Sequence, residues 1–214
     1  MEFNLLTIDI KFKIMEDIIK DKFIEWTKDK SPEQARVSIY THVRDIPYAI
    51  IPEFRDPVLG PQGLLKTNQG SCIPKHFLLG LFFEKLKIPV KYATYLFKWD
   101  DPSIKYPLFL RKIVKSLPIG THLACKAFIE GRWVLVDATW DSPLKKFGFP
   151  VNENWDGKSN TKNAVKPIKE IIHETLEERI EYTIGHKKSW TEEEARAFEE
   201  FPPVFNAWIS SLRK

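Results

Sequence analysis

Residues 121–141, THLACKAFIEGRWVLVDATWD, hold two apolar-rich runs separated by Glu130-Gly131. A two-residue connection of this kind specifies a β-hairpin, because the turns that match strand twist need positive φ, which glycine adopts without penalty. The register follows by counting outward. With Ile129 opposite Arg132, His122 falls opposite Thr139 and Ala124 opposite Asp137. Side chains two positions apart share a face, so His122 and Asp137 project to one side as diagonal neighbours, roughly 7–8 Å apart at the backbone. An imidazole and a carboxylate together close that gap, and the carboxylate would orient the ring and favour its charged form. A bulge or a one-residue slip would send the two to opposite faces. Cys125 stands an odd number of positions from His122 and is expected to face the core.

The stretch TNQGSCIPKHFLLGLFFEKL, residues 67–86, contains the other of the two cysteines. Ile73, Phe77, Leu78, Leu81 and Phe82 recur at helical spacing, and Pro74 is tolerated only in a first turn, so a helix begins close to Cys72. Unsatisfied N–H groups and the dipole at a helix start favour a thiolate, the form that makes cysteine a nucleophile near neutral pH. A lone cysteine is more commonly a small buried hydrophobe, so the functional reading needs a partner. The hairpin supplies one in His122. His76, one turn after Cys72 on the same helix face, is an alternative base, but no carboxylate is placed by sequence to orient it. A packing or surface role is expected for His76.

The remaining chain reads as helices, then strands, then helices, which argues for an α+β fold. Helices are expected over residues 11–29 and from Ser31 to Pro47, the latter with a capping box formed by Ser31 and Gln34. A Pro- and Gly-rich loop spans 52–70, and VKYATYLF, ending at Phe97, reads as a strand. Residues 99–118 form a proline-interrupted segment with a short helix near 108–117. Residues 145–167 are polar and loop-like, and two helices follow near 167–184 and 191–213. The expectation is one domain over 1–214, with a core at about 31–142 and a helical C-terminal extension over about 165–214. Trp99, Trp133, Trp140 and Trp155 are expected in the core, with Trp140 also close enough to Asp137 to line a site mouth.

Composition narrows the function classes. With 43% hydrophobic and 29% charged residues among 214, and a net charge of +4 without a basic tract, nucleic-acid binding gains little support. No apolar run reaches a membrane span, and Glu2 and Asp9 interrupt any signal-like N-terminus, so a cytoplasmic protein without membrane association is expected. Two cysteines outside any CxxC pair make neither a disulfide scaffold nor a zinc site, and His122-x-x-Cys125 lacks a second ligand pair. No metal or other cofactor is expected.

GSC opening a helix, THLACKAFIEGRWVLVDATWD carrying His and then Asp-Ala-Thr, and YTHVRDIPY upstream resemble the transglutaminase-like superfamily of cysteine enzymes, related in chemistry to papain-type proteases. The resemblance covers about residues 31–142. It implies Cys72 as nucleophile, His122 as general base then acid, and Asp137 as its orienter. The aromatic usual after the histidine is replaced by Leu123-Ala124. One oxyanion donor is expected from the Cys72 N–H, and a second from either the Tyr48 hydroxyl or the Gln69 amide. The expected activity is acyl transfer on the amide of a peptide, protein or small molecule, with hydrolysis as the outcome. Its rivals are amine transfer, a non-catalytic scaffold, and a metal hydrolase using His122 and Cys125.

Overall fold

The computed structural model describes residues 17–214. The described chain opens in a helix, α1 (17–27), which turns Trp26 into the core. The expected face of that helix also included Phe12 and Met15, which lie outside the described residues. The helix α2 (Pro32–Asp45) starts as anticipated, on a capping box between Ser31 and Gln34 with proline in its first turn. It buries Ile39, Tyr40 and Val43 on one side. After a short helix, α3 (Leu59–Thr67), comes α4 (Cys72–Lys85), whose Phe77, Leu78, Phe82 and Phe83 are buried.

The strands β1 (Val90–Phe97), β2 (Gly120–Ile129), β3 (Arg132–Val136) and β4 (Pro167–His173) form a four-stranded antiparallel sheet in the order β3-β2-β1-β4. A helix, α5 (Leu108–Ser116), lies between β1 and β2, and α6 (Leu176–Lys188) and α7 (Glu192–Ser211) follow the sheet. The molecule is therefore α+β. The hairpin register is Ile129↔Arg132 through Cys125↔Val136, as the two-residue turn dictates. Glu130 and Gly131 both have positive φ, 51° and 80°, as an inverse hairpin turn needs. Cys125 sits in the core against α4, where its thiol lies 3.3 Å from the His76 carbonyl.

Two apolar clusters meet at the hairpin's open end. One joins α2, α4 and the sheet through residues such as Tyr40, Phe82, Leu123 and Val136. The other joins Tyr48, Tyr106, Leu110, Trp140 and Leu144 to Phe201, Phe205 and Ile209 of α7. Burial of these α7 side chains, each contributing about 1.5–3 kcal/mol, explains why that helix continues through Pro202 and Pro203. No helix among the described residues is long and apolar enough to cross a membrane.

Three expectations change. The helix anticipated over 167–184 is a strand followed by a helix: β4 pairs with β1 from Tyr92↔His173 onward. The loop expected over 52–70 contains α3, which runs to the left-handed Asn68. Trp133 is 40% exposed rather than in the core, with the Lys91 ammonium 4.7 Å from its ring centre.

The turn offers a clean test of the hairpin. A Cβ on Gly131 would meet nothing within 4 Å, so Gly131→Ala isolates backbone strain from steric clash. Urea unfolding should show a loss of about 1–2 kcal/mol, the cost of a left-handed alanine. An unchanged midpoint would mean that the turn is not held at positive φ.

Candidate active site

Cys72 is placed by the chain on both sides of it. Gly70 exchanges backbone hydrogen bonds with the segment carrying Tyr48: its N–H donates to Pro47 at 3.1 Å and its carbonyl accepts from Ala49 at 3.2 Å. That approach needs glycine, because a Cβ there would lie 2.5 Å from Leu64 Cδ1. The helix α4 then begins at Cys72, with Ser71 providing no side-chain cap. The N–H groups of Cys72 and Ile73 therefore stay available, while Lys75 N–H bonds the Ser71 carbonyl, and the helix dipole points its positive end at the thiol.

His122 sits on β2 opposite Tyr95, whose ring stacks on the imidazole at 6.0 Å between centres. Its Nε2 lies 2.8 Å from Asp137 Oδ2, so the diagonal pair expected from the hairpin register is in contact. With Nε2 committed to Asp137, Nδ1 is the nitrogen left for the Cys72 thiol, which lines the same cleft. Asp137 is 1% exposed and fully engaged. Oδ2 accepts from Ala164 N–H at 2.7 Å, and Oδ1 accepts from the Thr139 hydroxyl at 2.6 Å and its N–H at 3.2 Å.

These contacts set the charges. Burial opposes ionisation of Asp137, but the His122 charge and hydrogen bond hold its pKa at about 2. Burial likewise opposes an imidazolium, yet Asp137 and Cys72 together raise His122 to about 10. Burial pushes the Cys72 thiol up, and this is outweighed by the His122 charge and hydrogen bond, the Leu123 N–H and the Arg179 charge, so the net shift is downward. All three shifts run toward the charged forms, a thiolate at Cys72, an imidazolium at His122 and a carboxylate at Asp137.

His76 is fully buried and serves as a strut. Its Nδ1 lies 2.8 Å from the Cys72 carbonyl, and its Nε2 accepts the Ala138 N–H at 3.0 Å. Both nitrogens are thus committed to backbone, and burial lowers its pKa to about 4, which keeps the ring neutral. Lys75 is a second strut that the sequence did not disclose. Its ammonium donates to the carbonyls of Arg44 at 2.8 Å and Thr139 at 2.7 Å, fixing the first turn of α4 to the segment after Asp137.

Cys72 lies at the waist of a bilobed cleft, sharing both lobes with Tyr48, Trp99 and Thr121. The first lobe, about 260 Å³, is walled by His122 and Trp140 and by parts of the 99–106 and 148–166 segments. Trp140 donates its indole N–H to the Ala164 carbonyl at 2.8 Å and packs on Tyr48. The second lobe, about 300 Å³, lies between the 48–57 segment and α6, with Arg179 and Lys187 of α6 and Phe198 of α7 among its lining. Those helices, expected as an extension outside the core, are part of the cleft.

Tyr48 is held by its backbone: its N–H donates to Asp141 at 2.8 Å, and its carbonyl accepts from Arg213, which forks onto the same carboxylate. Burial and the Cys72 charge raise its pKa and keep the phenol protonated. Gln69 is exposed and lines neither lobe, because the chain turns outward through the left-handed Asn68. Trp99, expected as a core residue, instead borders both lobes.

No protein-family model and no curated protein matches this chain. Among solved structures it is similar to a chain from Cytophaga hutchinsonii described as a "Putative Cysteine Protease", at 21% identity and a TM-score of 0.40. That likeness spans 61% of this chain and 39% of the other, too distant to bear on chemistry.

The charge state predicts a labelling profile. An ordinary thiol loses iodoacetamide reactivity roughly tenfold per pH unit below about 8.5. Cys72 should keep its rate below that pH, because its thiolate persists, whereas buried Cys125, its thiol pushed up, should not react. In His122→Ala the largest influence opposing burial at Cys72 is lost, leaving only the Leu123 N–H and the Arg179 charge, and labelling at pH 7 should fall at least about tenfold. An ordinary thiol profile at Cys72, unchanged in His122→Ala, would contradict the ion pair.

Proposed function

We propose that the chain is a cysteine-dependent acyl-transfer enzyme of papain/transglutaminase-like architecture, hydrolysing an amide bond with Cys72 as nucleophile, His122 as base and acid, and Asp137 as orienter. The observation that carries this reading is the buried His122 ring, hydrogen-bonded to the Asp137 carboxylate at 2.8 Å and lining the same cleft as the Cys72 thiol at the start of α4. Burying an ion pair gives a fold little stability over apolar packing of the same volume. Perturbed titratable groups that share a cleft point instead to chemistry.

In the proposed reaction the Cys72 sulfur forms a bond to the substrate carbonyl carbon, and the C=O π electrons move to oxygen. The Cys72 N–H and the Tyr48 hydroxyl donate to that oxyanion. The carbon–nitrogen bond then breaks, the amine takes the proton held by His122, and a thioester remains. Water, deprotonated by His122, attacks the thioester, and the acid leaves as the thiolate–imidazolium pair returns. Asp137 stays ionised throughout and keeps Nδ1 directed at the sulfur.

A library of peptide and small-molecule amides, assayed for released amine and acid, tests this reading. The wild type should release the two in equal amounts, even with millimolar primary amine present. Cys72→Ala should lower turnover by about 10³-fold or more, and Tyr48→Phe by about 10- to 100-fold through kcat with KM little changed. Turnover that survives Cys72→Ala would refute the proposal.

A further inference from the structure

The second lobe of the cleft is strongly cationic. Arg55, Arg179 and Lys187 line it together with Ile180, Ile184, Trp190 and Phe198. Asp56 is the acidic residue in its lining, one charge against three, and its Oδ1 accepts the N–H groups of Val58 and Leu59 at the start of α3. Among the described residues, none of the three cations forms a salt bridge. Arg179 is 3% exposed, and its Nε and Nη2 have no hydrogen-bond partner there.

Such an arrangement is costly without a complement. A buried guanidinium with unpaired donors forfeits hydration, and neighbouring cations add repulsion. The repulsion is felt: besides burial, Arg55 and Arg179 lower Lys187 to about 8, and Arg55 contributes to lowering Arg179 to about 10. Arg179 also senses the Cys72 charge, so the lobe is electrostatically continuous with the sulfur. A thiolate at Cys72 does not absorb the excess, because Arg179 keeps open donors. A planar fork of donors beside an ammonium matches the geometry of an oxyanion.

We infer that this lobe is an oxyanion-binding subsite, which takes a carboxylate or phosphate carried by the substrate on one side of the amide that Cys72 attacks. The inference rests on the reading of Cys72 as the nucleophile. The favoured substrates are then acidic amides. The apolar surfaces of Ile180, Trp190 and Phe198 cover the stem of the anionic group, and the volume of about 300 Å³ suits a small residue rather than a long chain.

Three haloacetyl probes test it: chloroacetylglycine, chloroacetylglycinamide and chloroacetyl-O-phosphoethanolamine. In each the Cys72 sulfur forms a carbon–sulfur bond as chloride leaves with its electron pair. At low ionic strength an anionic probe should label the wild type at least about tenfold faster than the amide. That preference should shrink with added salt, and the faster anionic probe identifies the group as carboxylate or phosphate. His122 attracts every anion alike, so the variants assign the effect. Arg179→Met and Lys187→Met should bring the ratio close to that of a lone imidazolium. Lys187→Met, on an exposed side chain, should lower the rate with the anionic probes by a larger factor than the rate with the neutral probe.

A wild-type ratio near one for both anions, or a ratio unmoved in both variants, overturns the subsite. Labelling by all three probes no faster than at a free thiol overturns the nucleophile instead. The subsite is then decided by calorimetry on Cys72→Ala with N-acetylglycine and inorganic phosphate: saturable binding weakened by Lys187→Met upholds it, and absence of binding of both overturns it.

Discussion

The buried carboxylate of Asp137 is the constraint on which the rest depends. A charge at 1% exposure must be met by donors, and each donor comes from a different part of the chain. His122 brings β2, Thr139 the segment beyond β3, and Ala164 the polar loop before β4. The backbone of the same residue extends the joint: its N–H donates to Thr161, and its carbonyl accepts from the Tyr40 hydroxyl on α2. Satisfying one acid therefore fixes the open end of the hairpin, the loop beside it and the orientation of the imidazole. His76 and Lys75 transmit that order to α4, so the thiol is positioned from the same joint.

Around this rigid centre the cleft is shared between distant stretches of sequence. Tyr48 and Trp140 reach the site from the second apolar cluster, held by the fork of Arg213 on Asp141 at the C-terminal end of the chain. The first lobe is walled by connecting segments, the second by the 48–57 segment and α6. Cys72 and His122 thus lie on regular elements that packing holds still, and much of the cleft wall lies on connecting segments.

How far the sequence discloses this depends on the range of the interaction. The Glu130-Gly131 turn fixes register locally, and parity along two strands then brings His122 and Asp137 to one face without further knowledge of the fold. The start of α4 is legible because Pro74 tolerates few helical positions. β4 was not legible: PIKEIIH runs along a sheet edge with most side chains exposed, so it lacks alternation, and its leading proline suits an edge strand as well as a helix start. Gln69 was misjudged because spacing from Cys72 says nothing about the outward turn at Asn68. Arg179 and Lys187 carry no local signal at all, since two cations about two turns apart on a helix read as a solvated face until α6 docks beside the thiol.

The central claim is the charge on His122, and nitrogen-15 NMR of the ring measures it directly. The account predicts an imidazolium at neutral pH that loses its proton only near pH 10, and a lower titration midpoint in Asp137→Asn. The sign follows from the pair: removing the carboxylate leaves burial to disfavour the charged ring. A His122 ring that titrates near 6.5 in the wild type, unmoved by Asp137→Asn, would contradict it.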